Sequence, residues 1–307
     1  MHLAARAPMS DLEPHPQEVS RWPAVKKVAI ATLFAVVAAL GIVWGIERWQ
    51  TWPLREAETS LAAGDPQRAE ALASFYLDGQ PDDPRGLAVR ARALVQLGRG
   101  SEAVAIYEQI GGASPDDIHA WAAAYLLTES WSRGKHLLEQ YLRMQPGDPE
   151  ATYELATCTA RLGRIKDAIE MAIRFTELSE QKAPGLLLQA IFSQDLGDSA
   201  AAADAYRLVI EEVPDAVGLQ LPPHEIFLQF GNALLDRGDA AAATLQFQRS
   251  IAILPTGEAY FRLGRAAAQT GDQETAINAW KEAVEIQPES VSPREALGLD
   301  LNRLFPG

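Results

Sequence analysis

Apolar residues recur along most of the chain at the spacing of amphipathic helices, and no stretch alternates between apolar and polar residues as a strand would. The helical segments come in pairs of about 13 residues each, and a short turn that contains a glycine joins the two members. Near the N-terminus the pattern changes, because residues 28–46 form one continuous apolar run. The sequence therefore predicts an all-α protein with one long apolar segment near its start.

The paired segments are internal repeats. A glycine followed by four residues and an alanine occurs six times, at Gly64/Ala69, Gly98/Ala103, Gly163/Ala168, Gly197/Ala202, Gly238/Ala243 and Gly271/Ala276. Gly134 takes the alanine place in a further copy. A proline stands 12 residues after the small residue in every copy except the fourth, which has Glu180 there. Seven copies in one register predict seven hairpins that are stabilised by stacking on their neighbours.

Each position of the repeat has a predicted role. Small residues at 91, 122, 156, 190, 231 and 264 allow the two helices of a hairpin to approach closely, and bulky residues at 107, 138, 206, 247 and 280 fill the space between hairpins. The third copy lacks three residues and has the segment 129–133 in place of the glycine turn, so we expect a shortened hairpin there. Residues 215–223 are an insertion and predict a surface loop.

Two copies carry a family pattern. They read Phe227-x2-Phe230-Gly231-x2-Leu234…Ala243-x3-Phe247…Pro255 and Tyr260-x2-Leu263-Gly264-x2-Ala267…Ala276-x3-Trp280…Pro288. This pattern closely resembles the tetratricopeptide-repeat (TPR) consensus. The resemblance implies a right-handed α-solenoid of about seven TPR hairpins over residues 53–290. Residues 291–307 are expected to form a C-terminal capping helix.

The apolar run 28–46 is long enough to cross a bilayer, since 19 helical residues reach about 28 Å. Four of the seven tryptophans, Trp22, Trp44, Trp49 and Trp52, bracket it, as in membrane-interface belts. We predict a transmembrane helix over residues 24–48, preceded by a disordered tail over residues 1–23. A cleavable signal peptide is the alternative, with a possible cleavage site at residues 37–39. Basic residues are in slight excess before the run, which favours a cytoplasmic N-terminus and repeats outside the cytoplasm.

Charge and motif content narrow the function. The net charge is −14, and residues 53–307 carry 22 basic against 37 acidic residues, which argues against a nucleic-acid partner. The five histidines are scattered, and neither a nucleotide-binding loop nor a nucleophile motif is present. The acidic pairs lie where carboxylates cap helices. We therefore expect no enzyme activity, no cofactor, no metal and no small-molecule substrate.

Function is then expected on the concave groove, which in this family is lined by the first helix of each hairpin. Transfer of the family register places a mixed apolar and polar surface on hairpins five to seven, where a protein or peptide partner would bind: Leu187, Leu188, Ile191, Leu228, Asn232, Phe261, Arg262 and Arg265. The alternative is that the leucines pack between adjacent hairpins. Asn232 and Arg262 match two positions of the family's carboxylate clamp, but its lysines are absent.

The sequence thus predicts a single-pass membrane protein that acts as a scaffold or chaperone-like adaptor. A bacterial inner membrane, with the repeats in the periplasm and a role in envelope protein assembly, is what the resemblance implies. The alternative function is a non-catalytic regulatory subunit of a membrane enzyme complex.

Overall fold

The computed structural model describes residues 30–33, 35–40, 51–112 and 114–288. The predicted tail 1–23 and the predicted capping helix 291–307 lie outside the described residues. Of the predicted membrane segment, residues 30–33 and 35–40 are helical. Within the described part of the chain, no helix combines the length and the apolar character that crossing a bilayer requires.

Between residues 52 and 286 the described chain forms fourteen helices, which pair into seven hairpins. The helices are α1 Trp52–Ala62, α2 Pro66–Gly79, α3 Pro84–Gln96, α4 Gly100–Ile110, α5 Pro115–Leu127, α6 Trp131–Met144, α7 Pro149–Arg161, α8 Ile165–Leu178, α9 Ala183–Asp195, α10 Ser199–Glu212, α11 Pro223–Arg237, α12 Ala240–Ile253, α13 Gly257–Thr270 and α14 Gln273–Ile286. Odd-numbered helices are the first helices of hairpins 1 to 7, and even-numbered helices are the second. Consecutive helices pack against each other, so the molecule is a linear helical array.

Helix starts follow from local sequence. Asp83 and Asp148 precede Pro84 and Pro149, and each aspartate accepts hydrogen bonds from backbone N–H groups of the first turn. Proline is tolerated at the first helical position because that N–H has no partner within the helix. Ser114 forms a reciprocal capping box with the third residue of α5. These caps fix where each first helix begins.

Hairpin 3 differs from the prediction. Its helices have 13 and 14 residues, as in hairpins 4 and 5, so the shortened hairpin expected there is wrong. The missing residues instead shorten α4 to 11 residues, and Pro115 then serves as the first residue of α5. The turn keeps its usual shape without glycine, because Glu129 adopts φ 55°, which is in the left-handed region that glycines such as Gly98 and Gly163 occupy in other hairpins.

The hydrophobic core is spread along the array in successive clusters rather than gathered at one centre. In hairpin 6 the small residue Gly231 allows the two helices to approach closely, and the bulky Phe247, which was predicted to fill the space between hairpins, packs on it within the same hairpin. A Cβ added at Gly231 would lie 2.5 Å from Cε1 of Phe247, whose side chain is fully buried. The inserted loop between α10 and α11 contributes to this core, since Ala216 in it is also fully buried.

Candidate partner-binding groove

A groove of about 440 Å³ crosses the first helices of hairpins 1 to 4. Helices α1, α3, α5 and α7 supply its walls, because the first helices of successive hairpins lie side by side. We call this feature the N-terminal groove, and its lining residues are Glu58, Leu61, Ala62, Arg92, Val95, Gln96, Asp116, His119, Ala120, Ala123, Glu150 and Glu154. The groove is open and spans four repeats, which suits an elongated ligand more than a compact small molecule.

The N-terminal groove is predominantly acidic. Four carboxylates line it (Glu58, Asp116, Glu150 and Glu154), against one guanidinium and one imidazole. The guanidinium is that of Arg92, whose Nε lies 3.6 Å from Oδ1 of Asp117, and this carboxylate is almost fully buried between α3 and α5. Because Arg92 is engaged by Asp117, it does little to offset the carboxylates.

His119 joins hairpin 3 to hairpin 4 within the groove. Its Nε2 lies 2.8 Å from Oε2 of Glu154 on α7, and its ring stacks on Tyr141 with the centroids 4.7 Å apart. Burial lowers the pKa of His119, but the hydrogen bond to Glu154 and the charges of nearby carboxylates outweigh burial and raise this pKa above its ordinary value. Folding therefore favours the imidazolium form of His119 relative to the unfolded chain.

Tyr141 also fixes the start of α7 below the groove. Its hydroxyl donates a 2.5 Å hydrogen bond to Asp148, the N-cap residue of α7. Burial tends to raise the pKa of Asp148, yet the Tyr141 hydroxyl and the Ala151 N–H lower it below its usual range. Tyr76 and Asp83 repeat the arrangement between hairpins 1 and 2, also at 2.5 Å. These contacts hold the helices that present the groove's charges.

The chemistry of the groove is that of a binding surface. Cys158, on α7, is fully buried, and burial together with the charge of Glu154 raises its thiol pKa to about 12. Among the described residues, no group of histidine, cysteine, aspartate and glutamate side chains could hold a metal ion. The groove offers carboxylates, an imidazole and small apolar side chains, which can hold a basic or polar chain segment.

Four of the eight residues predicted to form a surface on hairpins 5 to 7 are buried. Leu187, Leu188 and Leu228 are 1%, 7% and 7% exposed and pack in core clusters, as in the alternative that they fill the space between hairpins. Asn232 is 8% exposed, and its Nδ2 donates to Gln229. In this conformation these four side chains offer a partner little surface.

The other four predicted residues, Ile191, Phe261, Arg262 and Arg265, are half-buried. Phe261 packs against the Trp280 cluster, and its carbonyl accepts a hydrogen bond from Nε1 of Trp280. Arg262 pairs with Glu258 one turn earlier, at 3.3 Å. These contacts do not join the four residues into one pocket, so no formed clamp is present among the described residues.

Some residues of the N-terminal groove could be predicted from the sequence, and others could not. Transfer of the same family register to the first helices of hairpins 2 and 4 places Arg92, Glu150 and Glu154 on the inner surface, and these three residues line the groove. His119 was missed because it belongs to no local motif. Its partners Glu154 and Tyr141 lie 35 and 22 positions away, and only the stacking of hairpins brings them together.

Comparison with known proteins identifies the repeats. Three family models described as tetratricopeptide repeat match residues 60–127, 119–175 and 257–290. No curated protein matches the sequence.

Solved structures share the fold at low sequence identity. The C-terminal part of a TPR repeat-containing protein from Cytophaga hutchinsonii is 12% identical with a TM-score of 0.63, covering 80% of this chain and 99% of that one. A tetratricopeptide repeat protein from Parabacteroides merdae is 16% identical with a TM-score of 0.53, covering 82% and 99%. YrrB, described as a TPR protein with an unusual peptide-binding site, is 16% identical with a TM-score of 0.54, covering 63% and 97%.

Proposed function

Because this chain belongs to the tetratricopeptide-repeat family, whose members mediate protein–protein interactions, we propose that it is a membrane-anchored, non-catalytic scaffold. The observation that best supports this proposal is the N-terminal groove, which is open to solvent and crosses four consecutive first helices. The structurally similar YrrB has a peptide-binding site, which supports the same use for the groove of this chain. In this proposal a right-handed solenoid, capped by residues 291–307, presents the groove to a protein partner.

The partner segment that suits the groove is basic. Glu58, Asp116 and Glu150 create a negative potential that favours approach of lysine and arginine side chains and disfavours acidic segments. Ala120 and Ala123 leave room between these carboxylates for the apolar stem of a long side chain. In this proposal the surface of Ile191, Phe261, Arg262 and Arg265 extends the contact along hairpins 5 to 7.

The membrane anchor rests on residues 28–46. In the described part of this segment Ile30, Leu33, Val36, Val37 and Leu40 are between 55% and 63% exposed, so the part of the chain that the structure describes does not cover them. A run of exposed apolar side chains on one helical segment is favourable in hydrocarbon and costly in water. We propose that the N-terminus lies in the cytoplasm and the array in the periplasm of a bacterial inner membrane, with a role in envelope protein assembly. A reporter fused after Gly307 tests that orientation.

Photo-crosslinking of the full-length chain in membranes tests the groove. A photoreactive amino acid replaces Ala123, which lines the groove, and in the control it replaces Leu245, which is 56% exposed on α12. We expect a distinct protein adduct from position 123 and none of the same mass from position 245. Equal adducts at both positions, or none at 123, would contradict the proposal.

Charge reversal then tests the chemistry of the partner. Asp116→Lys with Glu150→Lys changes two groove residues that lie in first turns of helices. Glu274→Lys makes the same type of change in the first turn of α14, outside the groove, and serves as the matched control. The groove variant should lose the adduct from position 123, whereas the control should keep it.

A further inference from the structure

One exposed aromatic surface lies at the N-terminal end of the array. Trp52 on α1 and Phe75 on α2 are 52% and 64% exposed, and they are the only exposed aromatic side chains among the described residues. With Pro53, Tyr76 and the end of α2 they line a cavity of about 500 Å³. We call this feature the N-terminal aromatic patch.

The repeat does not require an aromatic residue at position 75. The residues in the same register on the other second helices are Gln109, Gln140, Arg174, Leu208, Arg249 and Glu282. Five of these six are polar or charged, as expected of a solvent-facing position. Arg174 and Arg249 even use this position to bond carbonyl groups of neighbouring loops. The aromatic side chain is therefore specific to hairpin 1 and needs an explanation from the surroundings of that hairpin.

The short connection between the apolar run and hairpin 1 limits how far hairpin 1 can lie from a membrane. Only residues 47–51 separate the apolar run 28–46 from Trp52. Six residue steps span at most about 21 Å, and the headgroup region adds roughly 5–7 Å on each side of the hydrocarbon. If residues 28–46 cross a bilayer, α1 begins no more than about 16 Å beyond the headgroup region. The patch therefore lies within reach of the interface, where tryptophan is enriched and where the apolar faces of interfacial helices carry tryptophan and phenylalanine.

We infer that the N-terminal aromatic patch docks on the lipid interface and fixes the orientation of the array against the membrane. This inference rests on the proposed anchor. Among the described residues Asp78 is the only charged one that lines the patch, so this part of the surface lacks the basic residues that anionic headgroups would attract. The occupant is therefore the interface of a zwitterionic bilayer, reached by aromatic side chains rather than by charge.

The test uses the full-length chain reconstituted in phosphatidylcholine vesicles that contain nitroxide-labelled lipid. Phe75→Cys carries an environment-sensitive fluorophore, and Leu245→Cys, 56% exposed on hairpin 6, is the matched control. The native Cys158 is fully buried, and the unsubstituted chain should take up no label. We expect lipid quenching at position 75 to exceed that at position 245 by at least about threefold, and Trp52→Ser to reduce it.

The outcomes separate this inference from the anchor. If alkaline carbonate releases the chain from the vesicles, the anchor fails and the lipid docking fails with it. If the chain stays bound but lipid quenches both labels equally, the docking alone is wrong. A label at position 75 that reports an apolar environment without lipid quenching would show that protein covers the patch, either another part of this chain or a second copy, and would also overturn the inference.

Discussion

Replacement of Gly231 by alanine tests the close helix packing that defines the hairpins. Gly231 lies in α11, and an added Cβ would meet Cε1, Cδ1 and Cζ of Phe247 at 2.5, 2.7 and 2.9 Å. Ordinary carbon–carbon contacts lie at about 3.5–4.0 Å, so three overlaps of roughly an ångström arise at once. The ring of Phe247 is fully buried in a core cluster that spans hairpins 5 to 7, so that its displacement would disturb neighbouring side chains.

The magnitude is a difference of two opposing terms. Alanine stabilises a helix interior by about 0.5–1 kcal/mol relative to glycine. Adding a methyl group to a well-packed core costs about 1–3 kcal/mol and sometimes more. Because all three nearest atoms belong to one rigid, fully buried ring, we place the cost at the upper end and expect a net loss of about 2 kcal/mol.

Gly79→Ala is the matched control, because Gly79 is the last residue of α2 and nothing lies within 4 Å of its added Cβ. This control should be neutral or slightly stabilising. Repeat arrays need not unfold in one step, so amide hydrogen exchange in α11 and α12 is the assay, with thermal melting beside it. Phe247→Leu should lessen the penalty of Gly231→Ala in a double-mutant cycle. If Gly231→Ala leaves exchange in α11 and α12 unchanged or slows it, the packing argument is refuted.

Three further predictions concern hairpins 3 and 4. Since the folded-state pKa of His119 is raised above 6.5, its contribution to stability is present below about pH 6.5 and is lost as the pH rises through the folded-state value. The melting temperature should fall over this pH range; His119→Gln should abolish the fall, whereas His136→Gln, at an exposed histidine, should keep it. Glu129→Gly should raise stability by about 1 kcal/mol in denaturant unfolding because it relieves a left-handed backbone, whereas Glu129→Ala should not. Cys158 should resist thiol reagents in the native chain at about pH 8 and react on unfolding; reaction without unfolding would contradict its burial.

Much of the fold was predictable because it depends on local spacing. The glycine and alanine register predicted seven hairpins, and their turns lie at the glycines of the repeat except in hairpin 3, where Glu129 takes that place. The small residues at the close helix contact, such as Gly231, could be predicted from sequence alone because they lie at a fixed offset in the repeat, whereas the contact of Phe247 with Gly231 within one hairpin was not predicted. Such contacts span fewer than about 20 residues, and repeats enforce them in each copy.

The errors have a different origin. The spacing pattern places the deletion in hairpin 3, because the small residue Gly134 comes three positions early, but the loss falls in α4. The spacing between small residues of successive copies spans the end of one hairpin and the first helix of the next. It therefore shows that three residues are missing but not which helix is shortened. Likewise Leu187 and Leu228 share a helix face with groove positions, and the stacking of neighbouring hairpins buries them. Burial between repeats depends on the tilt of the whole array, which no single repeat encodes.

The acidic charge of the chain also divides into two classes. Aspartates such as Asp65, Asp198 and Asp239 act as N-caps, where backbone N–H groups and the helix dipole offset their charge. Groove carboxylates within helices, Glu58 and Glu154, have no such offset from a helix end. Glu154 is instead balanced by His119 when that imidazole is protonated. Deprotonation of His119 therefore weakens the link between hairpins 3 and 4 while it makes the groove more negative, so that stability and attraction for a basic segment change in opposite directions with pH.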